Sequence, residues 1–251
     1  MNAVGFHSLS DGRVALSGRA LDECRRLDDV FALMARDDGA SETMFPSLLS
    51  RATLERSGYF ESFPDGAMGV TCGENREAQV LAPAVCYHCY AAWAGLPLDG
   101  PRIVTCVGRC FREEPAGFDP PARLREFTMR EVVFAGAPGW VVERRRAWMQ
   151  RVEAFARSLE LDATMELAND PFFGGQARGR QLLQRLKELK YELRVRVAGL
   201  PEPLAVASFN LHETHFTDRF EIALTGGATA HTGCVAFGIE RWALAVTRAK
   251  S

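Results

Sequence analysis

The sequence lacks an excess of positive charge. Its 30 lysines and arginines face 32 aspartates and glutamates, for a net charge of −2 and an isoelectric point near 6.2. A nucleic-acid binder ordinarily shows a basic balance or patch, so tRNA and DNA are not the expected partners. No stretch approaches the roughly 18 apolar residues of a membrane span. The first residues, MNAVGFHSLSDGR, contain no apolar secretion core. Neither export nor a membrane is therefore expected, and the expected location is the cytoplasm. Heptads, internal repeats and low-complexity tracts are absent. Cysteine is sparse and odd in number, seven in 251 residues, which excludes a disulfide framework as the default and favours reduced thiols. A single Cys-x-x-Cys pair, Cys86 and Cys89, flanks His88. With no second such pair a zinc finger is not expected. A redox pair remains possible, but for Cys89 an ordinary core position is the preferred reading.

The sequence contains enough apolar material, 47% of residues, to bury a full core in one large domain or two small ones. Apolar residues at three-four spacing predict helices over Leu21–Met34 and Val141–Leu161, the second carrying Val141, Trp148, Val152, Phe155 and Leu159 on one stripe with Arg145 as its one polar member. Further helices are expected over Ser47–Ser57, over Pro83–Ala94 and over Gln176–Lys190. The last follows a break at Asn169–Gly175 and sets Leu182, Leu183, Leu186 and Leu189 against Arg178, Arg180, Arg185, Lys187 and Lys190. Such a charge run is either a solvated face or a docking surface for an acidic partner. Strands are expected over Tyr191–Val197, Leu204–Asn210, Phe220–Leu224 and His231–Phe237.

The richest stretch is Arg109–Phe134. Strand formers run from Val104 to Arg112 and again from Phe127 to Phe134, separated by Pro115-Ala-Gly-Phe-Asp-Pro-Pro, which cannot continue a ladder. If the first strand persists, Arg112 and Glu114 share a face with Cys110; on the return strand Phe127 and Glu131 share one. A guanidinium that grips phosphate in two places, beside a ring on which a base stacks, makes a nucleotide site. The plainer alternative is a surface hairpin with ordinary ion pairs.

These residues resemble a known pattern. Phe111-Arg112-Glu113-Glu114, a loop, then Arg125-Glu126-Phe127 is similar to motif 2 of the class II aminoacyl-tRNA synthetases. Gly233–Arg241 resembles motif 3, and Phe45-Pro46 resembles the proline of motif 1, all in the expected order. The fit is closest to the seryl branch, and within it to the small amino acid:carrier-protein ligases, through Phe173-Gly174, Lys190–Leu193, Ser208-Phe-Asn210 and His231–Cys234. The resemblance implies an α+β fold, one catalytic domain over 1–251 with an antiparallel sheet of about six strands flanked by helices, dimeric through motif 1, with a docking helix inserted near 176–190.

It also implies roles. Arg112 would hold the α-phosphate of ATP, Arg241 the γ-phosphate, Glu114 the adenine amino group, and Phe127 would stack on the base. Leu124, Lys190 and the strand Ala205, Val206, Ala207, Ser208 would complete the nucleotide pocket. Arg241 opens a helix, where the dipole disfavours a cation unless an anion binds nearby. Ala205 departs from the pattern, because seryl-type synthetases carry there a glutamate that helps place Mg²⁺; Glu202 and Glu213 are the replacements the sequence offers. Cys86, Glu131 and Cys234 match the three residues that hold one zinc ion in the carrier-protein ligases, with the substrate amine as fourth ligand and Asn210 beside it. Two buried cysteines and an ion-paired glutamate are the bland alternative, and a rival cluster of His212, His215 and His231 ranks low. The implied activity is ATP-dependent activation of glycine or alanine, followed by transfer to the phosphopantetheine thiol of a carrier protein docked on Arg178, Arg180 and Arg185. The rivals are a tRNA or small-molecule acceptor, and a relative that only binds.

Overall fold

The computed structural model describes residues 5–71, 78–114, 117–169 and 177–249, and the side chains of 177–180 and of 183 lie outside the described set. A hairpin, β1 (Phe6–Ser8) and β2 (Val14–Leu16), precedes α1 (Gly18–Asp37). Then come β3 (Ser41–Glu42), β4 (Leu48–Ser50), α2 (Arg51–Arg56), α3 (Tyr59–Ser62), β5 (Gly69–Val70), β6 (Gln79–Leu81), α4 (Cys86–Ala92) and β7 (Pro97–Leu98). The long strands β8 (Arg102–Phe111) and β9 (Glu126–Gly136) lead into α5 (Pro138–Ser158), β10 (Ala163–Leu167), α6 (Ala177–Leu186) and β11 (Lys190–Val195). The chain closes with β12 (Leu204–Glu213), α7 (His215–Phe220), β13 (Ala223–Leu224), β14 (His231–Gly238) and α8 (Ile239–Ala249).

The main sheet has seven strands in the order β10-β11-β12-β14-β9-β8-β3, antiparallel throughout except where β3 pairs with β8. Helices α1, α5 and α8 cover one face. Leu27 and Phe31 of α1, Val141, Trp148 and Val152 of α5, and Trp242 of α8 bury there against Phe209, Val235 and Phe237 of the sheet. Pro138 opens α5, where the missing N–H costs nothing. The other face is only partly covered, by α4 and α7, and its apolar layer includes Cys86, Cys89, Cys106, Cys110 and Cys234. Because both faces of β9 are packed, Met129 through Gly136 are all buried; a strand covered on two sides loses the polar alternation of a half-exposed one.

Several expectations need correction. Residues 48–50 are strand, and α2 begins only after Ser50, whose hydroxyl accepts from the Thr53 N–H at 3.1 Å and caps the helix. The helix of 83–94 is shorter, Cys86–Ala92. Phe220 ends helix α7, leaving only Ala223–Leu224 extended. The sheet gains β3 and β10, the latter an edge strand whose side chains are all at least partly exposed. Strand β8 stops at Phe111, so Arg112 and Glu114 lie beyond it. The helix expected over 176–190 spans Ala177–Leu186, with Lys190 opening β11 instead. Pro115, Phe173 and Gly174 fall outside the described residues. Among the described residues no helix is long and apolar enough to cross a membrane.

Candidate active site

A cleft of about 760 Å³ lies on the open face of the sheet. Strands β9, β11, β12 and β14 floor it, and period-two alternation decides what they present. Phe127, Met129 and Glu131 line it from β9; Lys190, Glu192 and Arg194 from β11; Ser208, Asn210 and His212 from β12; Cys234, Ala236 and Gly238 from β14. Leu124, Glu114, Ala205, Val206 and Ala207 also line it. Thus the described residues expected at a nucleotide, amino acid or metal site all border one cavity.

One end is cationic. The Arg112 guanidinium lies 5.2 Å from the Phe127 ring centroid and donates from Nε to the Pro83 carbonyl at 2.8 Å. Arg241 donates to the carbonyls of Ala122 (2.9 Å) and Ala205 (3.0 Å). Burial, and then the neighbouring Arg112, pulls the Arg241 pKa below the usual arginine range. Two like charges held side by side at a cost make a site that an anion between them stabilises. Glu240, the neighbour of Arg241, is buried and turned away from this role: its carboxylate accepts from the Thr128 N–H and hydroxyl at 2.8 Å and ties α8 to β9. Lys190 pairs with Glu192 at 3.3 Å, and Glu192 also with Arg194 at 3.0 Å. Glu192 stands opposite Ser208 in the strand register, whereas Glu213 pairs with Lys187 and neither it nor Glu202 lines the cleft. The proposed replacements for the missing glutamate at Ala205 are therefore not in the cavity, and Glu192 is. The alternation along β11 was the signal for it.

The other end is anionic and buried. A sulfur of Cys86, a carboxylate oxygen of Glu131 and the sulfur of Cys234 all lie within 4.8 Å of one another. Cys86 opens α4, Glu131 sits mid-way along β9, and Cys234 lies on β14, whose Ala236 pairs with Glu131. Gly233 lets β14 pack this tightly, since a Cβ there would stand 2.5 Å from the Phe134 ring and 2.8 Å from the Asn210 carbonyl. The backbone N–H groups of Val85 and Cys86 donate to the Glu131 carboxylate at 3.2 and 3.1 Å. Burial, then the Cys234 sulfur, pushes the Glu131 pKa up to about 8. The two sulfurs are shifted in opposite directions. Cys234, facing the Cys86 thiol, the Asn210 amide at 3.4 Å and the His212 ring at 3.7 Å, is drawn well below the usual thiol range, and Cys86 is pushed up. Bonds of about 2.0–2.3 Å to zinc would place tetrahedral donors within about 4 Å of each other, so the cluster needs only small side-chain adjustments to fit that ion. The rival histidine cluster does not form: His215 turns to the Ser57 carbonyl at 3.0 Å.

Arg185 is exposed on α6, as are Leu182 (59%) and Leu186 (73%), so these two leucines are not packed into the core. The side chains of Arg178 and Arg180 lie outside the described residues.

The sheet order, its helical layer and the cleft define the catalytic fold of the class II aminoacyl-tRNA synthetases. The M. kandleri seryl-tRNA synthetase solved with A. aeolicus tRNASec superposes with a TM-score of 0.83 at 24% identity, over 97% of this chain and 55% of that one. No family model matches the sequence. Amino acid–[acyl-carrier-protein] ligase 1 of Bradyrhizobium diazoefficiens is 36% identical over 96% of this chain and 81% of its own length, and ligase 2 of that organism 35% over 84% and 70%. The chain belongs to the amino acid–[acyl-carrier-protein] ligases.

Proposed function

We propose that this chain activates a small amino acid, glycine or alanine, with ATP and transfers it to the phosphopantetheine thiol of an acyl carrier protein. The observation that carries this reading is one cleft with the Arg112–Arg241 pair at one end and the Cys86–Glu131–Cys234 cluster at the other. The names of the two Bradyrhizobium relatives support an amino acid and an acyl carrier protein as the substrate classes, and the small side chain is this reading's own expectation.

In the first step an oxygen of the amino acid carboxylate attacks the α-phosphorus of ATP, pyrophosphate leaves, and an aminoacyl-adenylate forms. Arg112 and Arg241, held by backbone carbonyls, neutralise the phosphates, with Mg²⁺ entering as the ATP complex. Phe127 stacks on the base, with Glu114, Leu124, Lys190 and the Ala205–Ser208 strand around the nucleotide. Cys86, Glu131 and Cys234 would hold one zinc ion per chain, which supplies an open Lewis-acid position for the substrate amine. Asn210 and Glu131 border the same end, so the amine is fixed there and the carboxylate points toward the α-phosphate. In the second step the carrier thiol attacks the adenylate carbonyl, a C–S bond forms, and AMP departs with the electron pair of the cleaved C–O bond while the thiol proton passes to solvent.

Residues 1–251 act as a single catalytic domain, in a reducing cytoplasm that keeps the cluster thiols free. Two copies pair through the motif 1 segment, where Met44 (88%) and Leu48 (45%) are exposed. The carrier docks on α6 through Arg178, Arg180 and Arg185.

The test is ATP–pyrophosphate exchange with each amino acid in turn, then thioester formation on a phosphopantetheinylated carrier with tRNA offered in parallel. Exchange with glycine, alanine or serine and label on the carrier are expected. No exchange with any amino acid makes the chain a binding relative. Exchange with leucine or phenylalanine alone refutes the small substrate, and charging of tRNA refutes the carrier.

A further inference from the structure

His212 belongs to the cleft yet has no part in the chemistry above. It is the extra residue of a bulge in β12: Leu211 pairs with Gly233 and Glu213 with Thr232, so His212 has no partner of its own on β14. A bulge re-aims a side chain, and here the ring points at Cys234, with Nε2 3.7 Å from its sulfur. The opposite ring nitrogen, Nδ1, faces two hydroxyls, those of Tyr90 and Thr232, each at 3.2 Å. Both hydroxyl residues are fully buried. Tyr90 is pinned further by the Phe216 ring, stacked on it with centroids 4.1 Å apart, and the Phe216 and His212 rings meet in a T-shaped contact with centroids 4.9 Å apart. The imidazole thus has little freedom to turn.

We propose that His212 is a positioning residue for the metal-binding cluster: its Nε2–H donates to the Cys234 sulfur, and the Tyr90 or the Thr232 hydroxyl fixes that tautomer by donating to Nδ1. A metal-bound thiolate has no proton to give, so the ring nitrogen facing it must be the donor; Nδ1 is then the acceptor, and either buried hydroxyl is a donor that suits its one lone pair. With Asn210 as the second N–H donor at 3.4 Å, Cys234 is aimed and its electron donation to the metal moderated. This inference rests on the zinc reading of the cluster.

The experiment uses the full chain loaded with zinc, and with Co²⁺ in its place. Metal affinity is measured by competition with a chromophoric chelator, and the thiolate-to-cobalt charge-transfer band is recorded. His212→Leu should weaken metal binding about 10–100-fold, the usual effect of removing a group that orients a ligand, and move the band to lower energy, because a sulfur without its hydrogen bond holds its electrons less tightly. His212→Gln, which keeps an N–H, should recover most of both. Tyr90→Phe and Thr232→Val should each be nearly silent, since one hydroxyl suffices to fix the tautomer, while the double variant should show an intermediate loss beyond the sum of the singles. His212→Leu protein with a native near-ultraviolet circular dichroism spectrum, wild-type affinity and an unmoved band would overturn the assignment. So would loss of tetrahedral d–d bands in that variant, which would make His212 a ligand. If His212→Leu does not fold, the Gln variant and the hydroxyl pair carry the same comparison. Wild-type protein that shows no charge-transfer band, and no difference from Cys234→Ser, rejects the zinc reading itself and this inference with it.

Discussion

The two ends of the cleft are built with opposite polarity from the same material. At the nucleotide end, backbone carbonyls of Pro83, Ala122 and Ala205 hold the guanidiniums of Arg112 and Arg241. At the cluster end, backbone N–H groups of Val85 and Cys86 hold the carboxylate of Glu131. In both, fixed dipoles aim an ionisable side chain before any ligand arrives, the arrangement that makes electrostatic stabilisation effective. They differ in support. Arg112 lies just past the end of β8, and one of the carbonyls holding Arg241 belongs to the loop that follows. The three cluster residues sit on α4, β9 and β14, buried within the packed layer. A site on rigid elements holds geometry tightly, while loops allow closure around a ligand. On the proposed function, the cluster end would be the selective one and the arginine end the one that tightens.

The largest expected effect lies at the nucleotide end. Arg241→Ala should reduce ATP–pyrophosphate exchange about 10²–10³-fold, the usual loss when one preorganised donor to developing charge is removed, with zinc content and fold unchanged. Arg241→Lys should recover little, because an ammonium cannot bond two carbonyls and a phosphate in the guanidinium's plane. Exchange at the wild-type rate in the Ala variant would place the phosphates elsewhere and dissolve the contrast between the ends. Next comes the clamp beneath both. Glu240→Ala removes the carboxylate that fastens α8 to Thr128, and hydrogen bonds to a buried charge contribute about 1.5–3 kcal/mol. Urea denaturation should show a loss of that size, and an unchanged midpoint would mean that α8 is held by its apolar face alone.

The two ends were also unequally legible in the sequence. Around Arg112 and Phe127 the chain itself shows a strand, a breaker-rich loop and a strand, and alternation along β9 predicts that Phe127 and Glu131 converge, whereas Arg112 and Glu114 reach the cleft from beyond the end of β8. The cluster has no such local signal. Cys86, Glu131 and Cys234 meet because β14 pairs with β9 in the register that sets Ala236 beside Glu131, and because α4 crosses above. Register between distant strands is set by packing, and only the likeness to the carrier-protein ligases named the three together. The same limit explains the missed elements. Residues 163–167 form an edge strand with no fully buried side chain, and 48–50 read as helix until the Ser50 cap is known to start α2. His212 ranked low when weighed against His215, because the two are not on one face; the useful comparison was with Ser208 and Asn210, four and two residues before it on the same strand.

A third expectation tests whether the contrast between the ends is confined to adenylate formation. Reversing Arg178, Arg180 and Arg185 to Glu acts on α6, outside both ends, and should leave ATP–pyrophosphate exchange intact. Carrier thioester formation should fall about tenfold at low salt, since complementary charge mainly raises association rates. The gap between wild type and variant should narrow as salt shortens the Debye length below about 8 Å. Lys190 stays out of the set because it lines the cleft. Transfer at the wild-type rate would remove α6 from the docking surface and leave the chemistry of the cleft untouched.

The smallest effect concerns the strut between the ends. His215 opens α7, whose Phe216 walls the cluster end, and its Nε2–H donates to the carbonyl of Ser57, just before α3, whose Tyr59 borders the nucleotide end. Arg219 donates to the other ring nitrogen at 3.2 Å. The ring is therefore held neutral, and burial of its nitrogens, then the Arg219 charge, lowers its pKa to about 4. The unfolded chain takes up a proton near pH 6.5 while the folded one does not until near pH 4, so the unfolded state binds more protons throughout that window. Stability from this group is complete above pH 6.5 and is lost as pH falls from there through 4. The residue is exposed over part of its surface, and solvent screening holds the loss to about 1 kcal/mol or less. His215→Gln keeps a donor and an acceptor without a titrating group. Denaturation curves of the zinc-loaded proteins should coincide at pH 7, and the variant should become the more stable of the two at pH 4.5. Parallel curves across that range would show that His215 titrates alike in both states, and that the two ends of the cleft are braced by the apolar contacts of α7 alone.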